Sequence, residues 1–240
     1  MEPILHFYPG HSTPVRTNIG VHKASIGPGL LIALKGDVVI FRGEAWGGPS
    51  QPIPMPGEPT LTPTPRGTFV LRAPEPHTTK KWRFSRIKWG TKLKVNPANR
   101  EVLYEQSRTA RGESVWASLM KDFKISRTDV EDIHEALFGY KRVPETWVFN
   151  DFGPIAVRFF RDLNKNRKLD KGESLEGAML HTTPQNEIEN TLPSGVQLEV
   201  SHGCIHMKPK DRDALIGMGV LRAGNTIVIH SYTEKYGARR

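Results

Sequence analysis

Short apolar runs separated by turn residues dominate the sequence and predict a protein built mainly from β-strands. Leu30–Leu34 and Val38–Phe41 flank Lys35-Gly36-Asp37, a pattern typical of a β-hairpin. Further strands are predicted at Gly67–Leu71, Thr146–Phe149, Ile155–Phe160 and Thr226–His230. Between them, 47–65 contains seven prolines. Proline lacks a backbone donor and fixes φ, so this stretch is predicted to be loop.

Residues 77–144 have a different pattern, with more charge and with helical spacing of the apolar positions. Ser114–Phe123 fits one helix face, and Thr128–Tyr140 predicts a second helix. Thr128 and Glu131 have the spacing of a capping box in this second helix, and Gly139 suits its end. The segment also holds three tryptophans, interpreted as core anchors rather than a platform for sugars: Trp82, Trp89 and Trp116. We therefore predict a helical insertion in a β-rich body. A last short helix is expected to begin at Pro209.

Composition is that of a soluble enzyme with one core, or one core and a subdomain. The chain has 240 residues and 37% hydrophobic residues, and its mean hydropathy is −0.45. No run approaches the roughly 18 apolar residues of a membrane span. The start of the chain, from Met1 to Phe7, has no basic region followed by an apolar one, so no signal peptide is visible. For an exported protein we therefore expect a removed leader or a non-classical export route.

The chain carries a net charge of +9, with a pI near 9.7. A basic surface attracts polyanions, including nucleic acid. The positive residues are scattered, however, and no nucleic-acid-binding motif is present. The charge therefore favours a general solubilising role or a surface facing an anionic cell wall, and no nucleic-acid partner is expected.

The residue that points most directly to a chemical function is Cys204, the single cysteine of the chain. A single thiol cannot form an intramolecular disulfide, so it is a bystander in the core, a metal ligand or a nucleophile. Gly203 before it lets backbone N–H groups come close to a substrate carbonyl. A histidine such as His181 is the usual partner that keeps a cysteine as thiolate near neutral pH. From these residues alone, two interpretations of Cys204 remain open: a buried structural cysteine and a nucleophile.

Two groups of residues also suggest metal sites. His181, His202 and His206 would form a zinc site if their stretch were helical, but Gly203 and the valine-rich approach favour strand and loop. Residues 162–173 have the oxygen-ligand spacing of a calcium-binding loop: Asp162, Asn164, Asn166, the Lys168 carbonyl, Asp170 and Glu173. Against calcium, Arg167 replaces the usual glycine, and lysines surround the loop. The alternative is a polar loop whose side chains cap their own backbone.

A histidine about twenty residues before Ser201-His202-Gly203-Cys204 resembles the signature of L,D-transpeptidase catalytic domains, the YkuD-like family. Thr64–Phe69, Phe152–Val157 and Ala223–Ile229 resemble other family segments in the expected order. The resemblance implies a β-sandwich or β-barrel body with short helices. It implies an N-terminal extension at 1–27 and a catalytic domain at 28–240, interrupted by the insertion at about 77–144, which would lie over the catalytic face.

The resemblance also implies roles for individual residues. Cys204 would be the nucleophile and His181 its base, with Gly203 and His202 in the catalytic turn. Ser201, Thr182 and His206 would help to bind substrate. His206 stands where the family usually has Arg or Asn, and imidazolium would be its useful form towards an anionic substrate end. The resemblance implies that no cofactor is required, and calcium in the loop 162–173 stays open as an additional ligand.

The implied activity is transfer or hydrolysis of peptidoglycan stem peptides through a thioester, in the periplasm or cell wall. Two alternatives stay open beside it. One is a secreted antibacterial effector with this fold, which would have a delivery or immunity protein as a further partner. The other is a wall-binding module without catalysis.

Overall fold

An eight-stranded closed barrel forms the body of the protein. The computed structural model describes residues 1–10 and 27–237. The barrel strands are β1 (Ile4–Tyr8), β2 (Gly29–Lys35), β3 (Val38–Trp46), β6 (Gly67–Leu71), β10 (Ala156–Phe160), β11 (Leu175–His181), β12 (Ile205–Met207) and β13 (Thr226–Ile229). Around the barrel their order is β1-β13-β6-β10-β11-β12-β3-β2. This confirms the predicted β-rich body.

Alternation of side chains fills the barrel with apolar groups. Leu31 and Ala33 of β2, Val157 and Phe159 of β10, and Ile205 of β12 all point into one buried cluster, and their neighbours along each strand point outward. The hairpin predicted at residues 30–41 is present, with Gly36 at a φ of 61° in its turn. The short C-terminal helix is also present as α4 (Pro209–Gly217).

The barrel includes part of the predicted N-terminal extension. Ile4–Tyr8 pairs with both β2 and β13 and so closes the barrel. Residues 11–26 of the extension lie outside the described part of the chain. No helix within the described residues is long and apolar enough to cross a membrane.

The insertion is a mixed unit with a core of its own. It contains a three-stranded antiparallel sheet of β7 (Leu93–Val95), β8 (Val102–Arg108) and β9 (Ser114–Ser118), followed by α1 (Leu119–Phe123) and α2 (Arg127–Phe138). The helix predicted over Ser114–Phe123 is therefore wrong in its first half. Ser118 ends the strand and caps α1 by accepting the N–H of Lys121. The second predicted helix is confirmed, but Ser126 and Asp129 form its capping box.

The second core corrects two further predictions. Trp147 and Phe149 pack with Ile87 and Val130 of the insertion, so residues 146–149 do not form a strand of the barrel. Trp147 is the buried tryptophan of this core. The three tryptophans predicted as core anchors, Trp82, Trp89 and Trp116, are only half-buried.

The proline-rich stretch is not entirely loop. It contains a two-stranded sheet of β4 (Ile53–Met55) and β5 (Glu58–Leu61). Both strands are edges of that sheet, where a proline need not donate to a neighbour. The remaining helix, α3 (Pro184–Glu189), begins directly after β11.

Candidate active site

Two adjacent parallel strands bring His181 and Cys204 to one place on the outer face of the barrel. Leu180 pairs with Ile205, and His181 pairs with His206. Cys204 directly precedes β12 and packs against Met179 of β11 in one cluster. Leu180 and Ile205 point into the barrel, so Cys204, His206, Met179 and His181 share the opposite face. Cys204 and His181 are therefore diagonal neighbours on one sheet surface.

The orientation of the His181 ring is fixed by the backbone. Its Nδ1 lies 2.8 Å from the carbonyl oxygen of Thr182. Because a carbonyl only accepts, Nδ1 carries the proton, and Nε2 of the neutral ring is an acceptor. The rings of Phe152 and His206 pack edge-on against it, with centroids 5.1 and 4.8 Å away. His181 thus has the tautomer that a general base needs.

These side chains open into one pocket of about 210 Å³. Cys204, His181, His202 and His206 contribute to its wall, and Trp82 reaches it from the insertion. The Trp82 and His202 rings lie 5.9 Å apart. The remaining wall consists of Asp151, Phe152 and Thr183. The insertion therefore contributes Trp82 to the wall of this pocket.

Burial makes the cysteine and the histidine neutral in the free protein. Burial raises the pKa of the Cys204 thiol to about 11, although the Met179 backbone and the charge of Lys81 act against this shift. Burial, with the nearby His206, lowers the pKa of His181 to about 3. Both shifts oppose a thiolate–imidazolium pair. The sequence predicts a stable thiolate at Cys204 near neutral pH, whereas burial in the structure favours the neutral thiol.

The turn before Cys204 is held by Ser201, which is buried. The Ser201 N–H donates to the carbonyl of Gly47 at 3.1 Å, and its hydroxyl donates to the carbonyl of Cys204 at 2.5 Å. The Gly203 N–H donates to the same hydroxyl at 3.1 Å, so it does not face an oxyanion in this conformation. Gly203 has a φ of 109°, and a Cβ there would lie 3.0 Å from Oγ1 of Thr62. The position requires glycine.

A family model matches most of the chain, and the geometry of the site is consistent with that match. The sequence model of YkuD, the L,D-transpeptidase catalytic domain, matches residues 26–229. The chain belongs to the L,D-transpeptidase catalytic-domain family. No curated protein and no solved structure gives a significant match. Membership supports an enzyme of the L,D-transpeptidase type that acts on peptidoglycan.

His206, unusual at its position for an L,D-transpeptidase domain, is neutral in this structure. Its Nδ1 lies 3.1 Å from the carbonyl oxygen of Glu199 and carries the proton. Burial lowers its pKa to about 4. The imidazolium expected to hold an anionic substrate end is therefore disfavoured above that pH. His206 lines the pocket as a neutral ring with Nε2 as acceptor.

An ion pair with little exposed side-chain surface contacts Thr182, the residue after His181. Arg212 of α4 pairs with Glu187 of α3, and its Nη1 donates to Oγ1 of Thr182 at 3.2 Å. The Thr182 hydroxyl in turn donates to Glu187 at 2.5 Å. Thr182 is fully buried and does not line the pocket. Its side chain is held by Glu187 and Arg212, and its carbonyl oxygen fixes the His181 ring.

Sequence reasoning missed the loop that forms the pocket wall opposite the strands. Asn150 is fully buried and donates to the carbonyls of His77 and Ile87 at 2.9 and 2.8 Å. Its Oδ1 accepts the N–H of Phe152 at 2.9 Å. Asn150 thus ties the insertion to the pocket loop. An isolated asparagine beside an aspartate looks like ordinary loop sequence, so no local signal marks it.

The loop proposed for calcium satisfies its own polar groups. Asp162 accepts the backbone N–H groups of Asn166 and Arg167, and Glu173 accepts those of Leu163 and Asp170. Asp170 Oδ2 accepts from the side-chain amides of Asn164 and Asn166. Arg167 takes the left-handed conformation, with a φ of 62°. In the described ranges, no three His, Cys, Asp or Glu side chains converge as a metal site, and this holds for the three histidines considered for zinc.

Proposed function

We propose that this protein processes peptidoglycan stem peptides through a thioester on Cys204. One observation carries the proposal: Cys204 and His181 are diagonal neighbours on adjacent strands and open into the same pocket. A nucleophile and an acceptor nitrogen on one rigid sheet surface are the minimum that acyl transfer needs. The substrate bond is the one between the L-centre of a diaminopimelate-type residue and the terminal D-alanine.

In the first step, the neutral thiol and the neutral imidazole act together. The Cys204 Sγ attacks the carbonyl carbon while its proton passes to Nε2 of His181. The C–N bond then breaks, and the imidazolium returns the proton to the nitrogen of the leaving D-alanine. Because the free enzyme disfavours the charged pair, proton transfer accompanies S–C bond formation rather than preceding it.

In the second step, an amine or water attacks the thioester. His181 takes a proton from the attacking nucleophile and returns it to the sulfur as the C–S bond breaks. An amine gives a new peptide bond, which is transpeptidation or exchange of the terminal residue. Water gives L,D-carboxypeptidase trimming. The location that fits this substrate is the periplasm or cell wall, where a chain of net charge +9 faces an anionic polymer.

Mass spectrometry of the purified protein tests this proposal. A tetrapeptide donor or a carbapenem should add its acyl mass to the wild type and not to Cys204→Ala, while Cys204→Ser controls for the shape of the side chain. An acyl adduct that survives in Cys204→Ala overturns the assignment of the nucleophile. Absence of any adduct on the wild type, with the donor bound, would indicate a wall-binding module instead.

Muropeptide analysis of cells that express a periplasm-directed form then identifies the biological outcome. New 3→3 crosslinks indicate a crosslinking enzyme. Depleted or exchanged tetrapeptides together with loss of viability indicate an antibacterial effector. The Cys204→Ala form serves as the control in the same cells.

A further inference from the structure

Asp151 is the one carboxylate in the wall of the catalytic pocket, in the part of the chain that the structure describes. It lies on the loop after Asn150, and part of its surface is open to solvent. Nothing in the proposed acyl transfer uses it. Its position beside the thiol and both neutral imidazoles therefore needs an explanation of its own.

The Asp151 carboxylate is held in one direction by a buried serine. The Ser85 hydroxyl donates to Oδ2 of Asp151, and the Ser85 Oγ in turn accepts the Asp151 backbone N–H at 2.9 Å. Ser85 is fully buried in the short 3-10 turn Phe84–Arg86 of the insertion. A reciprocal pair of this kind fixes the rotamer of the aspartate, so the insertion sets where the charge lies.

The positive charge of Lys81 acts on Cys204, but Lys81 forms no ion pair with Asp151. Among the described residues, no Lys, Arg or His side chain forms an ion pair with Asp151, although the chain as a whole is strongly basic. Crowding by protein atoms raises the pKa of Asp151, against the stabilising bond from Ser85, as expected for a carboxylate without a cationic partner. The facing groups His181, His206 and Cys204 are neutral near pH 7. The pocket therefore offers a preoriented, unpaired negative charge.

The second step of acyl transfer provides a cation that fits. An amine acceptor reaches the enzyme as ammonium, because the pKa of an alkyl ammonium is ~10.4. A fixed carboxylate beside the thioester attracts that ammonium, and an ammonium–carboxylate hydrogen bond is among the stronger ones. Water is uncharged and does not gain this electrostatic attraction.

We propose that Asp151 binds the ammonium of the acyl acceptor and thereby directs the thioester to an amine rather than to water. This inference rests on the proposed function. The bound ammonium gives one proton to Asp151, and the neutral amine attacks the thioester carbon. The C–N bond forms, the C–S bond breaks, and the second proton passes through His181 to sulfur. Asp151 then releases its proton to solvent, so the net products are an amide, the free thiol and one proton.

Partition of the acyl-enzyme between aminolysis and hydrolysis tests the inference. The probes are a stem tripeptide with a free side-chain amine and hydroxylamine, which is uncharged near pH 7. In Asp151→Asn, aminolysis by the tripeptide should fall about tenfold, whereas aminolysis by hydroxylamine should change less than about twofold. In Ser85→Ala the Asp151 carboxylate loses its hydrogen bond, so the rate of aminolysis by the tripeptide should lie between those of the wild type and Asp151→Asn. Asp37→Asn, the same change in the exposed β2–β3 turn, is the matched control.

Equal partition in the wild type and Asp151→Asn overturns the inference, and so does an effect confined to the acylation of Cys204 by the donor. Direct binding keeps the test independent of catalysis. In a Cys204→Ala background, calorimetry should show that Asp151→Asn weakens the free-amine tripeptide about tenfold and leaves its N-acetylated form unchanged. If the Cys204→Ala protein with Asp151 intact binds the free-amine and the N-acetylated tripeptides with equal affinity, the inference is overturned. This result holds even if the protein forms no thioester.

Discussion

The most direct prediction follows from the raised pKa of the Cys204 thiol. With a pKa of about 11, the thiolate is roughly 1 part in 10⁴ of the thiol at about pH 7, against roughly 3% for a cysteine with the ordinary pKa of ~8.5. Alkylation by iodoacetamide should therefore be about 300-fold slower at this pH than for a small-molecule thiol of ordinary pKa. The rate should rise about tenfold for each pH unit up to about pH 10, without a plateau.

The assay is unambiguous because Cys204 is the only cysteine in the chain. Mass spectrometry follows the loss of unlabelled protein at each pH, with circular dichroism as the control for folding. The same protein in guanidinium chloride should regain the reactivity of an ordinary thiol, because unfolding removes the burial that raises the pKa.

Substitution of His181 separates two interpretations of the site. If the imidazole is neutral in the free protein, His181→Gln should change alkylation less than about threefold while peptide acylation falls by about 10² or more. A plateau in the wild-type alkylation rate near or below neutral pH, lost in His181→Gln, would refute this reasoning. It would establish a preformed thiolate–imidazolium pair.

Three further predictions concern stability and metal binding. The folded pKa values of His181 and His206, about 3 and about 4, lie below the unfolded value of ~6.5. The two neutral rings therefore contribute fully to the free energy of unfolding above about pH 6.5, and each loses about 2 kcal/mol of that contribution by about pH 5. Urea unfolding at these two pH values checks this. In His206→Asn the free energy of unfolding should depend less steeply on pH. Arg212→Met should cost about 3 kcal/mol by leaving Glu187 buried without its partner; the double variant with Glu187→Leu should recover part of that in the same denaturation assay. Calcium should bind Asp162–Glu173 only at about millimolar Kd, because the loop's own donors occupy its carboxylates; a submicromolar isotherm in calorimetry would contradict this.

Five barrel strands, β2, β3, β6, β10 and β13, and the chemical pair were predicted from sequence because local pattern and tertiary structure agree there. Val38–Phe41 follows a two-residue turn that contains Gly36, so the hairpin is determined within a dozen residues. Cys204 and His181 were predicted from residue type and from family resemblance, and the parallel pairing of their strands explains how a separation of about twenty residues becomes a direct neighbourhood.

Other features depend on burial, which a single sequence does not reveal. The apolar positions of Ser114–Phe123 fit a helix, yet Val115 and Met120 are exposed and the segment divides at Ser118. A capping serine in mid-segment was the available signal. The neutral state of His206 likewise depends on the protein atoms around it. Its place in the motif indicated a substrate contact, but its charge could not be inferred from that place.

The insertion is best understood as part of the catalytic site and not as a detachable cover. Its core is completed by Trp147 and Phe149, which directly precede the pocket loop. Asn150 then fastens that loop to residues on the insertion side, and Ser85 aims the Asp151 carboxylate. The second core and the pocket wall are therefore physically connected. The barrel body supplies Cys204 and His181, the proposed nucleophile and base. The insertion supplies Trp82 to the pocket wall and the Ser85 hydroxyl that orients the Asp151 carboxylate, and we expect both to influence which acyl acceptor binds.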